Sequence, residues 1–157
     1  MSVTVRPAAV SDGPLLGRFG AALAGAHHGF DSQRFMLPGD VEAGYRDWLL
    51  KEAASPKAVV LVAEKDSEVV GYAYGRLEAR DWNLLLDVHA ALHDLWVDPT
   101  VRGQGAGALL ANAIALRLRD LGAPRVVLMS AAKNERAQRL FARLGWRPTM
   151  VEMTREL

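Results

Sequence analysis

An arginine, three closely spaced glycines and an apolar run stand together in V-D-P-T-V-R-G-Q-G-A-G-A-L-L, residues Val97 to Leu110. Glycine lets a backbone turn sharply and approach a ligand, and a helix that follows aims unpaired N–H groups at it. Arg102 adds a fork of donors suited to phosphate. The chemistry this spacing suits is the holding of a phosphate or pyrophosphate. A Walker A loop needs a Lys-Ser/Thr pair after its glycines, and Ala108 and Leu109 stand there instead. A dinucleotide loop is formally met by Gly103, Gly105 and Ala108. It also wants an acid near the end of the next strand, where this chain has Ser130 and Ala131. The third pattern is Arg102-x-x-Gly105-x-Gly107, directly after a strand and opening a helix.

Just upstream, His93 and Asp94 stand side by side. Histidine titrates near neutrality and suits proton abstraction. Strict alternation along a strand sends neighbours to opposite faces, so the two are expected to work apart. His27 and His28 have neither H-x-x-x-H nor H-E-x-x-H spacing and the chain has no cysteine, so no metal site is expected. Glu78, Asp81 and Asp87 are acidic groups that could attract a cationic amine.

The elements that must position these residues can be read from periodicity and turn chemistry. Val3–Arg6 is a short strand. Ser11 or Asp12 can cap a helix with Pro14 in its first turn and Leu15, Leu16, Phe19 and Leu23 at helical spacing. A turn-rich link from His27 to Gly39 precedes a second helix that Asp40 could cap. Ala58–Glu64 and Val69–Ala79 read as strands of a hairpin around K-D-S-E. A third strand ends at Val97, before the glycine loop and a helix carrying Leu110, Ile114, Leu118 and Leu121, stopped by Gly122. Arg125–Ser130 is a strand, Asn134 caps a last helix that stops at Gly145, and Thr149–Leu157 alternates like a closing strand. The order predicts a mixed sheet with helices on its faces.

With 157 residues the chain has the size of one domain, and no repeat or long linker divides it. Nineteen basic side chains nearly balance eighteen acidic ones, so nothing global points to nucleic acid or to an anionic membrane. The N-terminus lacks a signal-peptide core, and no apolar run reaches the twenty or so residues of a membrane span. A cytoplasmic protein is expected.

Two stretches together carry a resemblance to a family. L-H-D-L-W-V-D-P-T-V-R-G-Q-G-A-G-A-L-L resembles the coenzyme A pyrophosphate motif of the GNAT superfamily of acyl-CoA-dependent N-acyltransferases, with the strand before it. N-E-R-A-Q-R-L-F-A-R-L-G-W resembles that family's N-x-x-A-x-x-L-Y/F-x-x-x-G-F/W helix, through Asn134, Ala137, Leu140, Phe141, Gly145 and Trp146. The resemblance implies an α/β fold, α+β in its mixing: a twisted, mostly antiparallel mixed sheet of about six to seven strands with about four helices. It implies one domain over residues 1–157, with 1–57 on the acceptor side and 58–157 forming the acyl-CoA core. Acetyl-CoA is the implied co-substrate and a small-molecule amine the implied acceptor; a peptide acceptor, or a module that only binds CoA, are the alternatives. Homodimers are common in the family.

The resemblance also distributes roles. Amides of Gly103, Gln104, Gly105, Ala106, Gly107 and Ala108, with Arg102, would hold the pyrophosphate. Leu95, Trp96 and Val97 would line the pantetheine arm, Leu95 and Val97 offering backbone hydrogen bonds, and Asn134 would contact the arm. The family usually protonates the departing thiolate with a tyrosine, and Phe141 occupies that place, leaving Tyr72, Tyr74 and Ser130 as alternative hydroxyls. His93 stands where family members place an acid toward the acceptor. It and Asp94 are the candidate catalytic residues.

Overall fold

The valine-rich runs on either side of Lys-Asp-Ser-Glu form the middle of the sheet. In the computed structural model, which describes residues 2–157, β2 (Ala58–Lys65) and β3 (Glu68–Glu78) run antiparallel with Lys65 opposite Glu68, once β1 (Thr4–Pro7) has been laid down. Asp66 and Ser67 form the two-residue turn, with φ of 54° and 67°. That mirror-image turn matches the twist of a hairpin. β1 pairs with β2, and β4 (His89–Val97) with β3, all antiparallel; β5 (Val126–Leu128) lies parallel to β4. The order is β1-β2-β3-β4-β5.

Alternation along these strands feeds two cores. Val60, Val62, Tyr72 and Tyr74 meet Leu16, Phe19 and Leu49 of α1 (Gly13–Phe30) and α2 (Val41–Ala53). Leu61, Ala63, Ala73 and Leu92 meet Leu110, Ile114, Leu118 and Phe141 of α3 (Ala106–Asp120) and α4 (Glu135–Arg143) on the opposite face. α1 and α2 pack closely because α1 presents Gly13, Gly17 and Gly20 as one stripe. A Cβ on Gly20 would fall 2.3 Å from the Tyr45 ring, and one on Gly17 would fall 2.7 Å from Glu42 O.

Several expectations are corrected. The sheet has five strands among the described residues, fewer than the six to seven expected, because Thr149–Leu157 forms no strand. Met150, Val151 and Met153 stay exposed. Their alternation needs a sheet edge to bury against, and three-residue β5 offers little; the segment is held instead by Arg34, whose Nη2 donates to Glu152 Oε1 at 2.8 Å. α1 continues through His27 and His28, which were expected in a link, since the His27 ring bonds the Leu23 carbonyl at 2.8 Å across one helical turn. Asp12 and Asp40 precede their helices without side-chain caps: Asp12 is engaged by Arg6 and Ala9 N, and Asp40 has φ 58°. Asn134 caps α4 as expected, accepting from Ala137 N at 3.2 Å. No helix among the described residues is long and apolar enough to cross a membrane.

Candidate active site

β4 and β5 pair over three positions only, Ala90–Val126, Ala91–Val127 and Leu92–Leu128, while β4 continues to Val97. Past Leu92 the two strands part and leave one edge of β4 open. Asp98 N donates to Val70 O of β3 at 2.8 Å. Alternation then turns the amides of Trp96 and Asp94 toward β3 and those of Leu95 and Val97 toward the open edge. The Val97 carbonyl lies on that open side too, where it accepts from Arg102 Nε at 2.9 Å.

The glycine loop closes the end of this edge. Asp98 Oδ1 accepts from Thr100 N at 2.9 Å and Oγ1 at 2.7 Å, which tightens the turn at Pro99–Val101. Gly103 and Gly105 follow with φ of 81° and 90°, a region that side chains other than glycine's enter at a cost. Gly105 stands at the N-terminus of fifteen-residue α3, and its carbonyl accepts the first helical bond from Leu109 N. The amides between have no partner within the helix. Gly103, Gln104 and Gly105 are exposed, and nothing lies within 4 Å of a Cβ built on Gly103 or Gly105. Gly107 instead faces inward, its built Cβ 3.3 Å from Leu140.

Cations surround the mouth. Arg102 lies 4.5 Å over the Trp96 ring. Burial, then the charge of Arg136 on α4, lowers its pKa. Lys65 Nζ bonds Gln104 Oε1. Bent backbone, free amides, a helix N-terminus and three cations of one sign make an anion cradle.

His93 is the extra residue of a β-bulge: Tyr74 pairs with Asp94 while Gly75 pairs with Leu92. The bulge defeats the alternation expected of this pair. His93 stacks on Tyr74 with centroids 5.4 Å apart, and Asp94 Oδ2 accepts from the Tyr72 hydroxyl at 2.9 Å. Since both tyrosines belong to the core beneath α1 and α2, His93 and Asp94 share that face. Burial raises the Asp94 carboxyl above the usual range, while the Tyr72 hydrogen bond and the charges of His93 and His27 pull it back. Burial and the Asp94 charge push the Tyr45 hydroxyl up to about 12.

The family model that matches residues 27–146 is described as Acetyltransferase (GNAT) family. The chain belongs to the GNAT family. It is 36% identical over 93 residues to an uncharacterized N-acetyltransferase of Mycobacterium tuberculosis. That match covers 59% of this chain and 54% of the relative, so the chain spans about half the length of the curated relatives it matches. A solved GCN5-related N-acetyltransferase of Ralstonia eutropha is 26% identical with a TM-score of 0.75, covering 99% of each chain. An aminoglycoside N-acetyltransferase solved with CoA shares the fold, with TM-score 0.78 at 15% identity over 99% of this chain and 95% of that one.

In this GNAT chain the residues singled out from sequence separate into two groups. Leu95, Trp96, Val97, Arg102 and the 103–108 loop lie along one continuous edge, with Asn134 and Phe141 on the α4 side. Phe141 is buried and meets Trp146 edge-on at 5.5 Å. The Tyr72 and Tyr74 hydroxyls are spent on Asp94 and Glu52. The Ser130 hydroxyl makes only a 3.4 Å contact with Ala131 O. Glu78 reaches His93, whereas Asp87 pairs with Arg80 and Asp81 receives the Asn83 and Leu84 amides.

Tyr45, Glu52 and Arg76 belong to this site and were missed. Glu52 is buried, accepts from the Tyr74 hydroxyl at 2.6 Å and lies 3.1 Å from Arg76 Nε. Glycines spaced four and three apart in α1 were the available signal that α2, and Tyr45 and Glu52 with it, would sit close.

Proposed function

We propose that this chain transfers an acetyl group from acetyl-CoA directly to a primary amine of a small or amino-acid-like acceptor. The observation that carries the reading is the continuity of the cationic glycine loop with the open edge of β4. A pyrophosphate at the amides of residues 103–108 would run its pantetheine arm along Leu95–Val97, past Asn134, toward the bulge at His93. In this reading residues 58–157 form the acyl-CoA part of one domain, and residues 1–57 form its acceptor side through Tyr45 and Glu52.

The chemistry then has three parts. The amine lone pair attacks the thioester carbonyl carbon while N–H groups at Leu95 and Val97 stabilise the charge that develops on oxygen. His93 takes the amine's proton, a role worth about 10²–10⁴ in rate for a positioned base. The C–S bond breaks and its electron pair leaves on sulfur. A thiol pKa near 8.5 lies roughly 1.5 units above neutral, so departure as thiolate costs about 2 kcal/mol, tolerable without the usual tyrosine. Asp94, beside His93 and His27, would meet the acceptor's positive charge.

Phe141 favours a second reading, a domain that binds CoA without transfer. A screen for thiol release from acetyl-CoA across amines, amino acids, polyamines, aminoglycosides and peptides separates the two, paired with thermal shift. Small-amine-dependent release supports the proposal, and release with peptides alone makes the acceptor a peptide. Stabilisation by CoA with no release across the panel makes it a binding module. No shift with acetyl-CoA or CoA sinks both readings, since a ligand at a hundred times its Kd adds about 2.7 kcal/mol.

A further inference from the structure

His93 belongs to a closed circuit of five side chains. Its Nε2 lies 2.9 Å from Glu78 Oε1. The other Glu78 oxygen lies 4.0 Å from Arg76 Nη1, and Arg76 Nε lies 3.1 Å from Glu52 Oε2. That same Glu52 oxygen accepts from the Tyr74 hydroxyl at 2.6 Å, and the Tyr74 ring is the surface on which His93 stacks. The circuit joins α2, β3 and the β4 bulge.

Its members differ in exposure in a way that separates scaffold from working end. Glu52 is 4% exposed and Tyr74 likewise 4%. The His93 side chain is 38% exposed and that of Glu78 30%, open to a bound molecule from the solvent side. Asp94 and His27 are the other ionisable groups close by: Asp94 is the next residue of the bulged strand, and His27 on α1 acts on it by charge.

We infer that Glu78 is a positioning residue that fixes the tautomer and ring orientation of His93. A carboxylate can only accept, so the imidazole nitrogen facing it carries the hydrogen. Neutral His93 is then the Nε2–H tautomer, and Nδ1 keeps the lone pair. The inference rests on the reading of His93 as the base. During transfer the amine nitrogen bonds the carbonyl carbon, the C–S pair leaves on sulfur, and the amine proton goes to Nδ1. The resulting imidazolium stays hydrogen-bonded to Glu78. Arg76, 4.0 Å from the far oxygen of Glu78, sets a positive charge beside that carboxylate, and the stack on Tyr74 supports the plane of the ring. A bulge residue has no regular ladder position, which gives this external hold its purpose.

The test records long-range proton–nitrogen spectra of nitrogen-15 histidine-labelled protein at a pH where His93 is neutral. The His93 signals are assigned by their loss in His93→Asn. Wild type should report Nε2–H. Glu78→Ala should give a mixture of tautomers and lower kcat roughly tenfold to a hundredfold, less than loss of the base itself, with KM for acetyl-CoA unchanged. Glu78→Gln keeps an accepting oxygen and should restore the tautomer and part of kcat. An Nδ1–H tautomer in wild type, or a Glu78→Ala protein unaltered in tautomer and kcat, overturns the inference. The spectrum needs no acceptor, so it stands apart from the transfer assay. Full turnover by His93→Ala removes the base, and this inference with it, while leaving acetyl transfer standing.

Discussion

The Tyr72 hydroxyl donates to Asp94 Oδ2 across 2.9 Å, from a ring that is wholly buried against Phe19. The hydrogen bond favours the carboxylate, but burial outweighs it and the Asp94 pKa is raised. Burial, then the Asp94 charge, raises the Tyr72 hydroxyl well above its usual value as well. The unfolded chain therefore releases the Asp94 proton at lower pH than the folded chain does. The stability tied to this group is complete below the ordinary carboxylate value and is lost as pH rises through the folded one. Asn keeps an oxygen for Tyr72 and removes the buried charge. Asp94→Asn should melt higher than wild type at neutral pH, by about 2–4 °C for each kcal/mol relieved, and the gain should vanish near pH 3–4. Melting curves at both pH values check it; an equal shift at both would refute the charge argument.

Asp12 carries the opposite sign. Arg6 reaches both its oxygens, at 2.8 and 3.0 Å, and holds its carboxyl below the usual range. That stability is present above the unfolded value and is lost as pH falls through the folded one. Asp12→Asn should cost about 1–3 kcal/mol at neutral pH, as loss of a buried, charge-assisted partner does. The penalty should fade in acid, which urea titrations at neutral and low pH will measure.

Arg102 ties the loop to the strand, through Nε to the Val97 carbonyl and through its stack on Trp96. Arg102→Ala should weaken CoA binding by about 10- to 100-fold, the worth of a hydrogen bond to a charged group. Arg102→Lys keeps the charge without the planar fork and should recover only part. Calorimetry with CoA decides: unchanged affinity in the alanine variant excludes the arginine from both tether and cradle.

Two glycines of α1 should respond in opposite directions to the same change. Gly20→Ala places a Cβ 2.3 Å from Tyr45, and Gly25→Ala meets nothing within 4 Å. Alanine is favoured over glycine in a helix by about 0.5–1 kcal/mol, and Gly25→Ala should gain that amount. Overpacking costs about 1–3 kcal/mol, so Gly20→Ala should lose despite its better propensity. Chemical denaturation of both variants is the measurement, and a stabilised Gly20→Ala would disprove the close crossing.

The glycine loop and its flanking helices were legible because their parts are local. Glycines with positive φ, a following apolar stripe and a capping Asn134 announce themselves within a few residues, and two such stretches at the right separation pointed to the family. The face that carries His93 and Asp94 was not. His93 and Asp94 share a face because of a bulge that no period-two count contains. Glu78 meets His93 across the β3–β4 pairing that this bulge sets, and Glu52 comes up to Tyr74 and Arg76 only after α2 is seated across a glycine stripe. The Thr149–Leu157 alternation was real as a pattern, but a strand also requires an edge to pair with.

By its resemblance to the family's last-helix motif, Phe141 would stand where the usual proton donor does, and it is buried and edge-on to Trp146 at 5.5 Å. Removing the ring should cost about 3–5 kcal/mol, so Phe141→Ala would report folding before chemistry. Phe141→Tyr is the informative change, because it adds one hydroxyl and keeps the ring. A tyrosine hydroxyl near pKa 10 can hand its proton to a thiolate that is otherwise released unprotonated, then regain it from water. If thiolate departure limits the rate, Phe141→Tyr should raise kcat severalfold, up to about the 10² at the lower end for a general acid. KM for acetyl-CoA should hold. Thiol release measured for both proteins across pH should show the gain shrinking above about pH 8.5, where the free thiolate needs no proton. An unchanged kcat with intact CoA binding means that departure is not limiting and that Phe141 serves packing alone.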